Sequence, residues 1–174
     1  MVSKTLNTSS DYYYLRRKMT TKRLLILDLD GTLIDSQKRW AECQKLFPND
    51  KRGFWNCFQS ERFMGLDIPK ENVISYAKSL IDNETVVVIV SGRSERQKNR
   101  TLEQLNGIGI TFSEIYLRKE KDFRKDFQFK GEIIDYLIQK YNPNEVILID
   151  DSDDVLNHIS QNFPGIKVID SKKL

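Results

Sequence analysis

The sequence predicts an α/β domain built on a doubly wound, mostly parallel, Rossmann-like sheet. Four short apolar runs, at 24–27, 86–90, 146–149 and 166–169, are β-branched or Leu-rich and bounded by polar residues, as strands covered on both faces are. Segments with helical spacing separate them. The first three runs lead at once into Asp28-Leu29-Asp30, Ser91-Gly92-Arg93 and Asp150-Asp151, and in such sheets the ligand site lies beyond the C-terminal ends of the strands.

The first run, LLIL at 24–27, leads into Asp28-Leu29-Asp30-Gly31-Thr32. Residues 33–84 then separate it from the second run and contain a small, aromatic-rich, cap-like helical insertion. Phe54 and Phe58, with Trp55 beside them, have helical spacing that suits packing on the sheet domain. The same rings lie among Lys51, Arg52 and Arg62, a mixture that also suits single-stranded nucleic acid. The second run, VVVIV at 86–90, ends in Ser91-Gly92-Arg93, and 95–106 reads as a helix through Leu102 and Leu105. A weaker strand is expected at 114–117. Residues 131–141 carry Ile133, Ile134, Leu137 and Ile138 on one helical face. The run at 146–149 ends in Asp150-Asp151, and Ser152 is a good N-cap for a helix over 152–162.

The chain has 174 residues, 39 % apolar and 30 % charged, enough for one domain with a core and a solvated surface. Its net charge of +3 is unevenly placed. Six Lys and Arg face Asp11 alone in the first 23 residues, a net of about +5 that leaves the remainder acidic, so a nucleic-acid partner is not argued from net charge. Residues 1–22 read as a basic, disordered extension before a domain at 23–174; an amphipathic stretch within them also suits a mitochondrial presequence. A secretory core is lacking, and no apolar stretch approaches the ~18 residues of a spanning helix. An intracellular address, cytoplasmic by default, and a monomer are expected. Cys43 and Cys57 show no CxxC pairing, so neither a zinc site nor a disulfide framework is expected and a reducing compartment is the simpler reading.

Asp28 and Asp30, joined by Asp150 and Asp151 from a neighbouring strand, cannot all stay ionised at close quarters without a hard cation such as Mg²⁺. Ser91, Arg93 and Lys130 add a hydroxyl and positive charge, which together with Mg²⁺ is what a phosphoryl group in transfer requires. The substrate is expected to be a phosphate ester.

These residues resemble the haloacid dehalogenase (HAD) superfamily. Asp28-Leu29-Asp30-Gly31-Thr32-Leu33 is similar to its first motif, Val90-Ser91 to its second, Lys130 to its third and Asp150-Asp151 to its fourth. Within it, Ser91-Gly92-Arg93, the basic stretch at 117–130 with Asp126 four residues before Lys130, and Arg39 eleven residues after Asp28 resemble the 3′-phosphatase domain of phage-type polynucleotide kinase-phosphatase. The resemblance implies a strand order 5-4-1-2-3, Asp28 as nucleophile, and Asp30 as an acid that starts protonated and later acts as base, with Ser91 and Lys130 completing the catalytic set. It implies Mg²⁺ on the Asp28 carboxylate, the Asp30 main-chain carbonyl and one or both of Asp150 and Asp151. Thr32, Arg39, Gly92, Arg93 and Asp126 are expected at the substrate, a nucleic-acid 3′ end. A small nucleotide or sugar phosphate is the alternative substrate, and a non-catalytic module that binds phosphorylated ends is the alternative class. No GxxxxGK[ST] loop is present, so ATP-dependent 5′-phosphorylation is not expected from this chain, and a separate kinase or ligase is a candidate partner.

Overall fold

The computed structural model describes residues 21–174; the basic extension read at 1–22 lies, but for its last two residues, outside them. Strand β1 (Arg23–Leu27) is the middle of a five-stranded parallel sheet with β4 (Thr85–Ser94), β5 (Glu114–Arg118), β6 (Glu145–Asp150) and β7 (Ile166–Asp170), in the order β5-β4-β1-β6-β7. Two short strands, β2 (Ile34–Asp35) and β3 (Ile68–Pro69), form a separate antiparallel pair. Numbered without that pair, the five sheet strands run 5-4-1-2-3 from β7, the expected order.

Alternation along β1 explains the two layers. Leu25 and Leu27 face a core completed by Val73, Ile74 and Ala77 of α3 (Glu71–Ser79) and Leu105 and Ile108 of α4 (Lys98–Ile108). Leu24 and Ile26 face Phe129, Ile134 and Leu137 of α5 (Asp126–Tyr141) and Val155 and Ile159 of α6 (Asp153–Asn162). Paired on both edges and covered on both faces, β1 is wholly buried from Leu24 onward, which is why its sequence is continuously apolar. The Ser152 hydroxyl caps α6 by accepting from the Val155 N–H, as expected.

Helices α1 (Gln37–Leu46) and α2 (Lys51–Phe58) and a 3-10 turn at Met64–Leu66 lie between β2 and β3 and form the cap. Helix α3, although inside the 33–84 span, packs into the sheet domain. Phe54 does pack, but inside the cap rather than on the sheet domain as expected: its ring lies 4.5 Å from that of Trp40 and 6.0 Å from that of Phe58, in a cluster of its own with Cys43 and Cys57. The cysteines correct the sequence reading: Cys43 and Cys57 are joined in a disulfide. The chain folds back between α1 and α2, bringing the two Cα atoms within 5.7 Å, and the pairing removes the ground for expecting a reducing compartment.

Candidate active site

The loop after β1, the end of β4, the first turns of α5 and the end of β6 converge at the C-terminal edge of the sheet, on a cavity of ≈ 1250 Å³ that the cap overhangs. Two groups of side chains meet at its floor.

The first surrounds Lys130. Helix α5 begins at Asp126, five residues earlier than its apolar pattern shows, so Asp126 and Lys130 share a face and pair at 2.9 Å. Lys130, 2 % exposed, also sits 3.0 Å from Asp28 and 2.6 Å from Asp150. Burial opposes its charge, but Asp28, Asp150 and Asp126 outweigh it and push the ammonium pKa well above the ordinary lysine range. Asp28 moves upward too: burial and the Asp150, Asp126 and Asp151 carboxylates together exceed the pull of Lys130. Asp151 is raised by burial and by Asp150. One ammonium does not offset this many buried carboxylates.

The donor set fits a divalent cation. Asp28, Asp150 and Asp151 each offer a carboxylate oxygen within 4.8 Å of the others, all hard donors of the kind Mg²⁺ takes. Gly31 makes the approach of Asp151 feasible: its φ is +87°, and a Cβ there would stand 2.2 Å from Asp151 Oδ2. Ser91 and Asp151 line the cavity, and Gly92 lets the Asp126 carboxylate close over it, since a Cβ at 92 would lie 2.7 Å from Asp126 Oδ1.

The second group surrounds Asp30. Arg93 grips it with Nε to Oδ2 at 3.0 Å and Nη2 to Oδ1 at 2.7 Å, and Arg39 Nη2 also donates to Oδ1. Behind the two guanidiniums lies Asp67, which accepts from Arg39 Nε at 2.9 Å and from Gln104 Nε2 at 3.1 Å. Arg93 Nη1 also donates to Thr101 and Gln104. Burial alone would raise the Asp30 pKa, but the charges and hydrogen bonds of Arg93 and then Arg39 hold it below the usual carboxylate value. This reverses the expectation that Asp30 starts protonated. That reading weighed the neighbouring anions, whereas the fold turns Asp30 away from them toward two arginines. With its side chain engaged there, Asp30 does not join the carboxylate group of Asp28, Asp150 and Asp151.

Two expected substrate contacts are placed elsewhere. Arg39 is fully buried behind Asp30 and does not line the cavity. Thr32 is also fully buried, and its hydroxyl accepts from Ser171. Asp67, Gln104 and Thr101 carry no local signal: Asp67 and Gln104 meet only when cap and sheet come together, and Thr101 meets Arg93 only when α4 packs beside the end of β4.

A parallel sheet whose central strand ends in Asp-Leu-Asp, with a buried lysine and a second acidic pair on the next strand, defines a phosphatase domain of the HAD superfamily. Residues 22–171 match the family model described as polynucleotide kinase PNKP phosphatase domain, and the chain belongs to that family. Among solved structures, it is similar to a chain in the Pnkp1/Rnl/Hen1 RNA repair complex, with 22 % identity and a TM-score of 0.66 over 86 % of this chain and 42 % of that one. A hydrolase from Streptococcus pneumoniae TIGR4 matches at 18 % identity and TM-score 0.52, over 86 % of this chain and 92 % of its own. An HAD-superfamily hydrolase from Geobacter sulfurreducens PCA matches at 14 % and 0.54, over 87 % of each. The chain thus spans less than half the matched chain of the repair complex. No curated protein matches the sequence. Among the described residues, no helix is long and apolar enough to cross a membrane.

Proposed function

We propose that the protein is a Mg²⁺-dependent phosphomonoester hydrolase that acts through a phosphoaspartate on 3′-phosphate ends of nucleic acid. The observation that carries the chemistry is Asp28, 4 % exposed at the cavity floor, with Lys130 at 3.0 Å and Ser91 on the same wall. An Asp28 carboxylate oxygen attacks phosphorus, the bond to the leaving sugar oxygen breaks, and that oxygen takes up a proton. Lys130 and Ser91 hold the phosphoryl oxygens as charge shifts onto them. Water then attacks the acyl phosphate, Asp30 receives its proton, and phosphate and free Asp28 are regenerated. The ionised Asp30 suits this second half directly. For the first half it gains its proton as the anionic phosphoryl group enters and raises its pKa. Asp28, Asp150 and Asp151 would hold the Mg²⁺, which when bound would supply positive charge to offset the carboxylates and polarise the phosphoryl group.

The nucleic-acid substrate is supported by the family and by the cavity, whose rim carries Lys51, Arg52, Arg96, Lys119, Lys121 and Lys125. The repair complex among the structural relatives supports a separate kinase or ligase as partner. Incubation of the protein with Mg²⁺ and a 3′-phosphorylated oligonucleotide is expected to release phosphate, and Asp28→Asn to abolish release. Turnover of sugar or nucleotide phosphates alone would assign the small-ester alternative, and function intact in Asp28→Asn would assign a binding module.

A further inference from the structure

Two walls of the cavity carry groups that the chemistry at its floor does not use. From the cap, α2 presents Lys51, Arg52 and Trp55; from the sheet domain, the loop between β5 and α5 presents Lys119, Lys121 and Phe123. None of these four cations has an ion pair among the described residues. Arg118, at the end of β5, and Arg124, in the loop, are by contrast engaged internally. Arg118 pairs with Asp126 at 2.8 Å and donates to the Arg124 carbonyl, while Arg124 pairs with Asp122 at 2.6 Å and with Glu132. Both guanidiniums lie over the Phe129 ring, and Lys121 takes a left-handed φ of 65° to close the turn.

The loop is therefore pre-formed, and it holds Phe123 91 % exposed on the cavity wall. Single exposed apolar residues are ordinary. This one is distinguished by its place close to Lys121 on the same cavity as Trp55, which is 39 % exposed and backed edge-on by Trp40, Phe54 and Phe58. Aromatic faces interleaved with unpaired cations match single-stranded nucleic acid, whose unpaired bases stack while its phosphates take the lysines. A duplex keeps its base faces covered.

We propose that Trp55 and Phe123 are stacking platforms for the terminal bases of a single-stranded 3′ end, with Lys51, Arg52, Lys119 and Lys121 on its backbone phosphates. This rests on the nucleic-acid reading above and adds the path the strand takes to Asp28.

The test compares the wild-type protein with Trp55→Ala, Phe123→Ala and a Lys119→Ala, Lys121→Ala double variant. Each is assayed on a short 3′-phosphorylated single strand and on p-nitrophenyl phosphate, and each is titrated with the labelled strand by fluorescence anisotropy. For each aromatic variant, the ratio of kcat/KM on the strand to that on the small ester is expected to fall about tenfold, mainly through KM. In the lysine variant, the slope of log Kd against log salt is expected to fall by about 1.4. Trp55 supports the cap, so Phe123, which is almost fully exposed, decides the matter. An unchanged ratio with good strand turnover overturns the stacking proposal alone; turnover of the small ester without the strand overturns both readings. Binding of the strand by Phe123→Ala as tight as by wild type overturns the proposal whatever the turnover.

Discussion

Arg93 meets Asp30 fork to fork, with parallel hydrogen bonds of 3.0 Å and 2.7 Å. A lysine at this position would keep the charge but lose the planar pair that fixes the carboxylate. Arg93→Lys is therefore expected to lower kcat by about 10²-fold, the cost of a catalytic group misplaced by about 1 Å, with KM little changed. Steady-state kinetics on any accepted phosphate ester, with circular dichroism to verify folding, checks this. A parallel rise in KM at constant kcat would instead make Arg93 a substrate contact.

The motifs that follow strands were legible because a strand end projects its next residues to one edge of a parallel sheet, so Asp28, Ser91 and Asp150 could be placed together from apolar runs alone. What faces Asp30 was not legible. Arg39 reaches it from α1, and Asp67, at the far end of the cap, backs Arg39 in turn; neither direction follows from local pattern. The buried state of Lys130 required knowing that α5 starts at Asp126, ahead of its apolar face. The disulfide was likewise hidden. Cys43 and Cys57 sit on different helices, and a signal lay only in their even number.

Gly31→Ala is expected to lose activity more than stability. A positive φ costs a residue with a side chain about 1–2 kcal/mol. The new Cβ, 2.2 Å from Asp151 Oδ2, would in addition drive that carboxylate out of the acidic group. Chemical denaturation and kinetics on the same sample separate the two effects. Activity retained within about twofold, despite the measured destabilisation, would show that Asp151 need not sit against Gly31.

Divalent cation binding should appear as stabilisation. A ligand that binds only the native state at about 100 times its Kd adds about 2.7 kcal/mol, so Mg²⁺ titrated into the protein is expected to raise Tm. Asp151→Asn removes one of three clustered carboxylates and should weaken that shift markedly. Equal Mg²⁺-dependent shifts in variant and wild type would place the cation elsewhere.

The disulfide should staple the cap. It closes a loop of 14 residues, for which the chain-entropy account gives about 3 kcal/mol. The Phe58 carbonyl, next to Cys57, accepts from Arg39 Nη1 at 3.1 Å, so loosening α2 also loosens the support of Asp30. Replacing both cysteines by serine is expected to lower the denaturation midpoint and to reduce kcat. A reductant such as dithiothreitol should reproduce both effects in the wild-type protein and neither in the variant. Insensitivity of the wild type to reduction would show that the cap holds by its aromatic packing alone.

A pH effect remote from the active site is expected at Glu114 on β5, which accepts from Lys140 at 2.7 Å, from the Tyr141 hydroxyl and from the Tyr116 hydroxyl at 2.7 Å. Burial alone would raise its pKa, but these donors outweigh it and hold the carboxyl below its ordinary value. A depressed folded-state pKa gives stability that is present above the unfolded value and is lost as pH falls through the folded one. The phenols behave in the opposite sense. Burial and the Glu114 carboxylate raise both the Tyr116 and the Tyr141 pKa, so their contribution is present below about pH 10 and is lost as pH rises beyond it. Urea midpoints of wild type and Glu114→Gln, measured across pH, should therefore differ most near neutrality. The difference should narrow as pH falls through the ordinary glutamate range and below. A gap that stays constant from neutrality to acid would mean that the glutamine amide replaces the carboxylate fully, and that charge at Glu114 contributes nothing to holding β5 against α5.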